Sequence, residues 1–141
     1  MLLRGSLKWN IDFDETFPPI ARIESIRLLL AIACVLKIKL YQMNVKGAFL
    51  NGYIDKEAYV EQPKGFVDPF HPDYVFKLHK ALYGLKQAPR AWYDRLTEFL
   101  FNLRFTRGEG DRTLFILKQN KDVCIAQIYV DDIVFGSLTN Q

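Results

Sequence analysis

Residues 128–136, which read I-Y-V-D-D-I-V-F-G, place two adjacent carboxylates between two short apolar runs. The β-branched and aromatic residues on each side are typical of buried strands, and Asp tolerates a turn between them. The stretch therefore predicts a β-hairpin that exposes Asp131 and Asp132 at its tip. Two carboxylates at such close range favour a cation that neutralises them, and oxygen ligands select Mg²⁺ or Mn²⁺. The alternative is an ordinary polar turn, because Asp is a common turn residue.

The rest of the chain alternates between helix and strand patterns. Helices are predicted over residues 23–36 and from Pro89 onward, where an apolar stripe recurs at helical spacing. That stripe consists of Trp92, Leu96, Phe99, Leu100 and Leu103. Strands are predicted over residues 39–45, 75–78, 113–117 and 123–130, with a hairpin excursion at 53–62 and a loop at 65–73. This order indicates an α+β fold.

The composition fits one compact domain spanning residues 1–141. Half of the 141 residues are hydrophobic, and the net charge of +3 permits nucleic-acid binding without demanding it. Cys34 and Cys124 lie in apolar surroundings without metal-ligand spacing, which predicts buried thiols in a reducing compartment. No apolar run approaches the roughly 20 residues of a membrane span, and no signal-peptide core is present. An intracellular protein, cytoplasmic or nuclear, is the expectation.

Several stretches resemble the reverse transcriptases of Ty1/copia retrotransposons, in the order that this family has them. They are D-F-D-E-T-F at 12–17, A-R-I-E-S-I-R at 21–27, Y-Q-M-N-V-K-G-A-F-L-N-G at 41–52, E-Q-P-K-G-F at 61–66, A-L-Y-G-L-K-Q-A-P-R-A-W-Y at 81–93 and Y-V-D-D at 129–132. The resemblance implies a polymerase palm, in which helices back an antiparallel sheet. It also implies two Mg²⁺ ions, an RNA or DNA primer-template and dNTP substrates. The chain would be a partial fingers and palm domain, without the family's thumb and ribonuclease H.

The resemblance also assigns roles to individual residues. Asp131 and Asp132 would bind metal. The nucleotide-binding positions would be Val45, Phe49, Tyr83 and Gly84, and the template-binding positions would be Lys86 and Arg90. Without the family, Phe49 is more simply a core aromatic, Gly84 a tight-turn residue, and the two cations ordinary solvated side chains.

Asn44 is the important departure, because the family has an aspartate at this position. The amide has nearly the shape of a carboxylate, but it carries no charge and its nitrogen is a hydrogen-bond donor. We therefore expect little or no polymerase activity, with Asn44 serving as a strand-end residue satisfied by backbone groups. A residual polymerase, a non-catalytic nucleic-acid-binding module and a decayed reading frame without selected function all stay open.

Overall fold

The computed structural model describes residues 2–4, 22–120 and 122–138. Their elements, in chain order, are β1 (Leu2–Arg4), α1 (Ile23–Val35), β2 (Leu40–Asn44), a 3₁₀ helix (Ala48–Asn51), β3 (Tyr53–Glu61), β4 (Tyr74–Lys80), α2 (Ala88–Asn102), β5 (Thr106–Arg107), β6 (Leu114–Gln119), β7 (Asp122–Tyr129) and β8 (Asp132–Leu138). The predicted α+β class is therefore confirmed. The sequence block at 12–17 and the first residue of the block at 21–27 lie outside the described residues.

The strands form two antiparallel sheets. The smaller sheet has the order β1-β4-β3, and the larger has the order β2-β8-β7-β6-β5. In the larger sheet β2 lies at one edge and pairs with β8, although some ninety residues separate these strands in the chain. This non-local pairing places the end of β2, where Asn44 lies, beside the start of β8.

The helix α2 covers one face of the larger sheet. Its apolar residues enter a core cluster with residues of the 3₁₀ helix, β6, β7 and β8. The buried members of the cluster are Ala48, Trp92, Leu96, Leu100, Phe115, Ala126, Ile128 and Ile133. The predicted stripe on α2 is wrong for two residues, because Phe99 is 56% exposed and Leu103 is 48% exposed. The surface that α2 buries against the core is therefore narrower than the apolar face that its sequence predicts.

Most predicted elements agree with the structure to within one or two residues. The predicted excursion at 53–62 is one continuous strand, β3, and its hairpin partner is β4. The prediction of two buried thiols is wrong for Cys34, which is exposed on α1, whereas Cys124 is half-buried and burial raises the pKa of its thiol. On α1 the only fully buried residues are Leu29 and Ala33. Within the described part of the chain, no helix is both long enough and apolar enough to cross a membrane.

Candidate active site

The acidic hairpin forms as predicted, but its turn lies one residue earlier than the sequence indicates. Strand β7 ends at Tyr129, the turn consists of Val130 and Asp131, and Asp132 is the first residue of β8. Both carboxylates are half-buried and therefore less exposed than expected. Val130 has a φ of 55°, a left-handed conformation that a β-branched residue rarely adopts. Such strain costs of order 1–3 kcal/mol and persists only where surrounding contacts hold it.

Asn44 meets the hairpin directly. It pairs with Asp132 across β2 and β8, and its Nδ2 donates a hydrogen bond to the Asp132 Oδ1 at 3.3 Å. The next residue, Val45, donates its backbone N–H to the Asp131 carbonyl at 2.8 Å. The structure thus brings together the three positions predicted for the catalytic site. The expectation that backbone groups satisfy Asn44 is wrong for its amide N–H, which contacts a side-chain carboxylate.

These side chains lie on one face of the larger sheet. Tyr129, Asp132 and Asn44 are paired in a row across β7, β8 and β2. Residues paired across antiparallel strands project to the same face, so the three side chains share a surface. Tyr129 is 46% exposed there. The row therefore presents a phenol, a carboxylate and an amide side by side.

The residues at this point do not fit a pair of divalent ions. Two adjacent metal ions need bridging negative charge, and Asn44 directs a donor, not an anionic oxygen, at the shared space. Within residues 2–4, 22–120 and 122–138, no group of three or more His, Cys, Asp or Glu side chains is placed to hold a metal. Asp131 and Asp132 alone supply two negative charges, where an aspartate at position 44 would make three.

Two of the predicted nucleotide-binding residues are in contact. The rings of Phe49 and Tyr83 have their centroids 4.8 Å apart and are tilted by 42°. Phe49 and Val45 are partly buried and pack against the core cluster, whereas Tyr83 is 56% exposed. Gly84 follows with a φ of 91°, and no atom lies within 4 Å of where a Cβ would be. Phe49 is thus both a core aromatic and half of an exposed aromatic pair.

The predicted template-binding cations lie at the start of α2. Lys86 is exposed in the turn before the helix, and Arg90 is in its first turns. The Arg90 Nε donates to the Asp94 Oδ2 at 2.8 Å, one helical turn further on. This ion pair offsets part of the positive charge that Arg90 would present to a phosphate.

A polar network joins Gln127 of β7 to the segment before β6, and the sequence did not predict it. Asp111 accepts hydrogen bonds from the Thr113 backbone N–H at 2.8 Å and hydroxyl at 2.6 Å, and from the Gln127 amide at 3.3 Å. Burial by itself raises the pKa of Asp111, but hydrogen bonds from Ser25, Thr113 and Gln127 outweigh it and hold the pKa below its usual value. The signal in the sequence was Gln127, a polar residue inside the apolar run of β7.

Trp92 also has a role that the sequence did not reveal. Its stripe position predicted helix packing, and it is indeed 6% exposed in the core. In addition, its indole Nε1 donates a hydrogen bond to the Val130 carbonyl at 2.7 Å. Only the non-local packing of α2 under the hairpin creates this contact.

Comparison with known proteins gives a family for the chain. Residues 5–140 match the family model described as reverse transcriptase (RNA-dependent DNA polymerase). The chain is 44% identical over 125 residues to the Retrovirus-related Pol polyprotein from transposon RE1 of Arabidopsis thaliana, covering 89% of this chain and 8% of that protein. It is 39% identical over 128 residues to the corresponding polyprotein from transposon TNT 1-94 of Nicotiana tabacum, covering 90% and 10%.

A more distant relative is the Transposon Ty1-ER2 Gag-Pol polyprotein of Saccharomyces cerevisiae, at 26% identity over 133 residues, which covers 91% of this chain and 7% of that protein. The chain thus spans a tenth or less of the length of these three relatives. No solved structure matches it. The match over nearly all of the chain, with the acidic hairpin and its β2 neighbour in place, shows that this protein belongs to the reverse transcriptase family of Ty1/copia-type retrotransposon Pol polyproteins.

Proposed function

We propose that this chain is a partial palm and fingers domain of an RNA-directed DNA polymerase whose catalytic site is silent in this copy. In this proposal the larger sheet is the palm, and α2 supports it from the face opposite the carboxylate row. Asp131 and Asp132 are the metal-binding positions, and Asn44 occupies the third position without its charge. Family membership and the meeting of these three residues support the assignment.

One observation carries the proposed silence: the hydrogen bond from the Asn44 amide to the Asp132 carboxylate. In polymerases of this kind, two Mg²⁺ ions activate the primer hydroxyl and neutralise charge on the transferred phosphoryl group. Here the amide already satisfies one oxygen of Asp132 and adds no negative charge to hold such ions. Changes one shell further from a metal cost about 10 to 100-fold in affinity or activity. Loss of a carboxylate ligand should cost at least that much.

In this proposal the substrate-facing surface consists of the residues around the Phe49–Tyr83 contact. Phe49 and Tyr83 form an aromatic pair, and Gly84 follows Tyr83 in the chain. Val45 packs against the same core cluster as Phe49, and it directly follows the last residue of β2. The Phe49 ring would pack under the sugar of an incoming dNTP, and Gly84 leaves open space for a close approach of substrate to the backbone. Lys86 and Arg90 would contact phosphates of an RNA or DNA primer-template. We therefore expect the chain to bind substrate although it does not catalyse polymerisation.

Primer extension on an RNA template with Mg²⁺ tests the proposal. The natural chain is compared with Asn44→Asp and with the double variant Asn44→Asp, Asp131→Asn. We expect no extension by the natural chain, and extension by Asn44→Asp that the second substitution abolishes. Extension by the natural chain would refute the proposed silence.

Metal binding gives a second test that does not depend on extension. Titration calorimetry with Mn²⁺ should show at least a tenfold tighter binding to Asn44→Asp than to the natural chain. Equal affinities would show that the residue at position 44 does not control the metal site. This measurement also identifies the cause if Asn44→Asp does not extend a primer. Tight Mn²⁺ binding without extension would locate the remaining defect outside the metal-binding position.

A second candidate function is nucleic-acid binding without catalysis. The Phe49–Tyr83 pair favours it, because the Tyr83 ring is 56% exposed and exposed aromatic rings stack on bases irrespective of sequence. Binding of a primer-template duplex should weaken with rising salt and survive Asp131→Asn. It should fall in the double variant Lys86→Ala, Arg90→Ala. No binding at low salt would eliminate this function and leave a decayed reading frame as the remaining alternative.

A further inference from the structure

The indole of Trp92 holds the tip of the acidic hairpin from inside the core. Its Nε1 lies 2.7 Å from the Val130 carbonyl oxygen and donates to it. We infer that Trp92 is a positioning residue, which fixes the hairpin turn and thereby places the Asp131 and Asp132 carboxylates. The inference deepens the proposed function, and it rests on that function for the role of the two carboxylates.

The contact acts on Asp131 through a rigid peptide group. The Val130 carbonyl and the Asp131 N–H belong to one planar unit, so that unit can rotate only by changing the ψ of Val130 and the φ of Asp131 together. A donor that fixes the carbonyl fixes both angles. On the other side, the Val45 N–H holds the Asp131 carbonyl at 2.8 Å. The backbone of Asp131 is thus clamped by one hydrogen bond before it and one after it.

The turn needs such a clamp because of the residue that forms it. Val130 has a φ of 55°, whereas the left-handed region favours Gly, Asn or Asp. A β-branched side chain stays in this region only where tertiary contacts determine its conformation. The indole hydrogen bond is such a contact, since it comes from α2 and not from the hairpin itself.

The donor is immobile. Trp92 is 6% exposed and packs in the core cluster with residues of four elements. Gly52 lies against the same part of α2, and a Cβ on it would approach the Trp92 backbone nitrogen to 2.7 Å. A buried, closely packed indole cannot follow the carbonyl if the turn relaxes. Its position therefore sets the position of the turn.

The test compares Trp92→Phe with Tyr93→Phe by amide hydrogen exchange. Phe keeps most of the side-chain volume and removes the indole N–H. Tyr93 is the matched control, because its hydroxyl donates to the Arg112 carbonyl at 2.5 Å and not to a group of the hairpin turn. We expect exchange of the Val45 amide to rise at least tenfold more than that of the core strands in Trp92→Phe and to follow the core in Tyr93→Phe. Equal behaviour of the two variants would overturn the inference.

A rescue variant separates positioning from packing. Val130→Gly gives the turn a residue that adopts positive φ unaided. In the double variant Trp92→Phe, Val130→Gly, protection of the Val45 amide should return to within about threefold of that in Val130→Gly alone. A purely structural role of Trp92 would not be rescued at the hairpin tip, so absence of rescue would also overturn the inference.

The natural chain itself supplies a readout if Trp92→Phe does not fold. The Trp92 indole N–H resonance, assigned with Trp9→Phe, should exchange as slowly as the Val45 amide. Exchange at the rate of free indole in the folded chain would refute the hydrogen bond. None of these measurements needs metal, nucleotide or activity. A positive result would therefore stand whether or not Asn44→Asp extends a primer, and the extension and Mn²⁺ experiments bear on the proposed function alone.

Discussion

Replacing Asn44 with Asp should destabilise the chain in the absence of divalent metal. The substitution converts a donor that faces Asp132 into a second carboxylate. Two effects then act in the same direction. The hydrogen bond to Asp132 is lost, and two like charges face each other across β2 and β8. The variant should therefore fold less stably than the natural chain.

The magnitude follows from the geometry and the exposure of the pair. A well-formed hydrogen bond to a charged group contributes about 1.5–3 kcal/mol. This one is long, at 3.3 Å, and Asn44 is exposed, so about 1 kcal/mol is the appropriate value. Two unit charges 4 Å apart repel by about 1 kcal/mol in water and about 4 kcal/mol at an effective dielectric constant of 20. Since Asn44 is exposed, the lower value applies, and the expected total is about 2 kcal/mol.

Thermal unfolding followed by circular dichroism measures this difference. A loss of about 2 kcal/mol lowers the Tm by roughly 7 °C in a domain of this size. Gln42→Glu is the matched control, because it adds the same charge on the same strand and face, opposite Val134 and not opposite a carboxylate. Mg²⁺ at ten times the Kd of Asn44→Asp should then stabilise this variant by about 1.4 kcal/mol and the natural chain by about 0.4 kcal/mol or less. Ionic strength is held constant with a monovalent salt.

Two results would refute the reasoning. If Asn44→Asp is as stable as the natural chain without Mg²⁺, the amide does not compensate the Asp132 carboxylate. If Mg²⁺ raises the Tm of the natural chain as much as that of the variant, Asp131 and Asp132 suffice for the metal. In the second case the proposed cause of catalytic silence is wrong.

Three further perturbations follow from the geometry. Because hydrogen bonds hold the pKa of Asp111 below 3.8, its contribution to stability is complete above that pH and is lost as the pH falls further. Asp111→Asn should therefore reduce the fall of the unfolding free energy at acid pH, measured by urea denaturation. An unchanged pH dependence would contradict this. Gly52→Ala places a Cβ 2.7 Å from the α2 backbone and should cost about 1–3 kcal/mol by denaturant unfolding, whereas Gly110→Ala, with open space around it, should change stability by less than about 0.5 kcal/mol. Tyr83→Ala should weaken primer-template binding several-fold in a filter assay, and Phe70→Ala, at an exposed ring elsewhere, should not; equal losses would remove the role of the aromatic pair.

The sequence located the acidic hairpin but not its turn residues. Local preference places Asp-Asp in the turn, since Asp accepts such conformations more readily than Val. In the structure Val130 takes the left-handed position and Asp132 joins β8. Hydrogen bonds from Trp92 and Val45 hold this arrangement, and both donors come from outside the hairpin. Turn preferences that consider only neighbouring residues in the sequence do not include hydrogen bonds from such donors.

Burial on the helices was predictable only in part. Apolar periodicity identifies the face of α2 that meets the core, but not how far the partner surface extends. Trp92 and Leu96 are buried, whereas Phe99 is 56% exposed. On α1 burial is more limited still, because Leu29 and Ala33 are buried whereas the neighbouring Leu30 is 53% exposed. Helical spacing predicts which face of a helix meets the core, and only the tertiary contacts determine how much of that face is buried.

The contact between Phe49 and Tyr83 was inaccessible to spacing arguments altogether. The two residues are 34 positions apart and lie on a 3₁₀ helix and in a turn, neither of which has a periodic pattern. The family resemblance suggested both as nucleotide-binding positions, and the structure places their rings in contact. That their proximity was implied only by resemblance shows how little local chemistry says about a site assembled from distant segments.

The geometry of the acidic hairpin and its charge are set by different parts of the molecule. The Trp92 indole and the Val45 backbone N–H hold the carbonyls of Val130 and Asp131, and neither donor is a side-chain group of residue 44. Asn44 has nearly the size of Asp, and it joins the row by pairing with Asp132 and donating to its carboxylate. A site whose geometry is set by backbone and core contacts can lack the charge of one metal ligand and keep that geometry. Under the proposed function, this separation lets the chain keep the geometry of the site while position 44 lacks a charge, and the charge at position 44 is therefore the first variable to change.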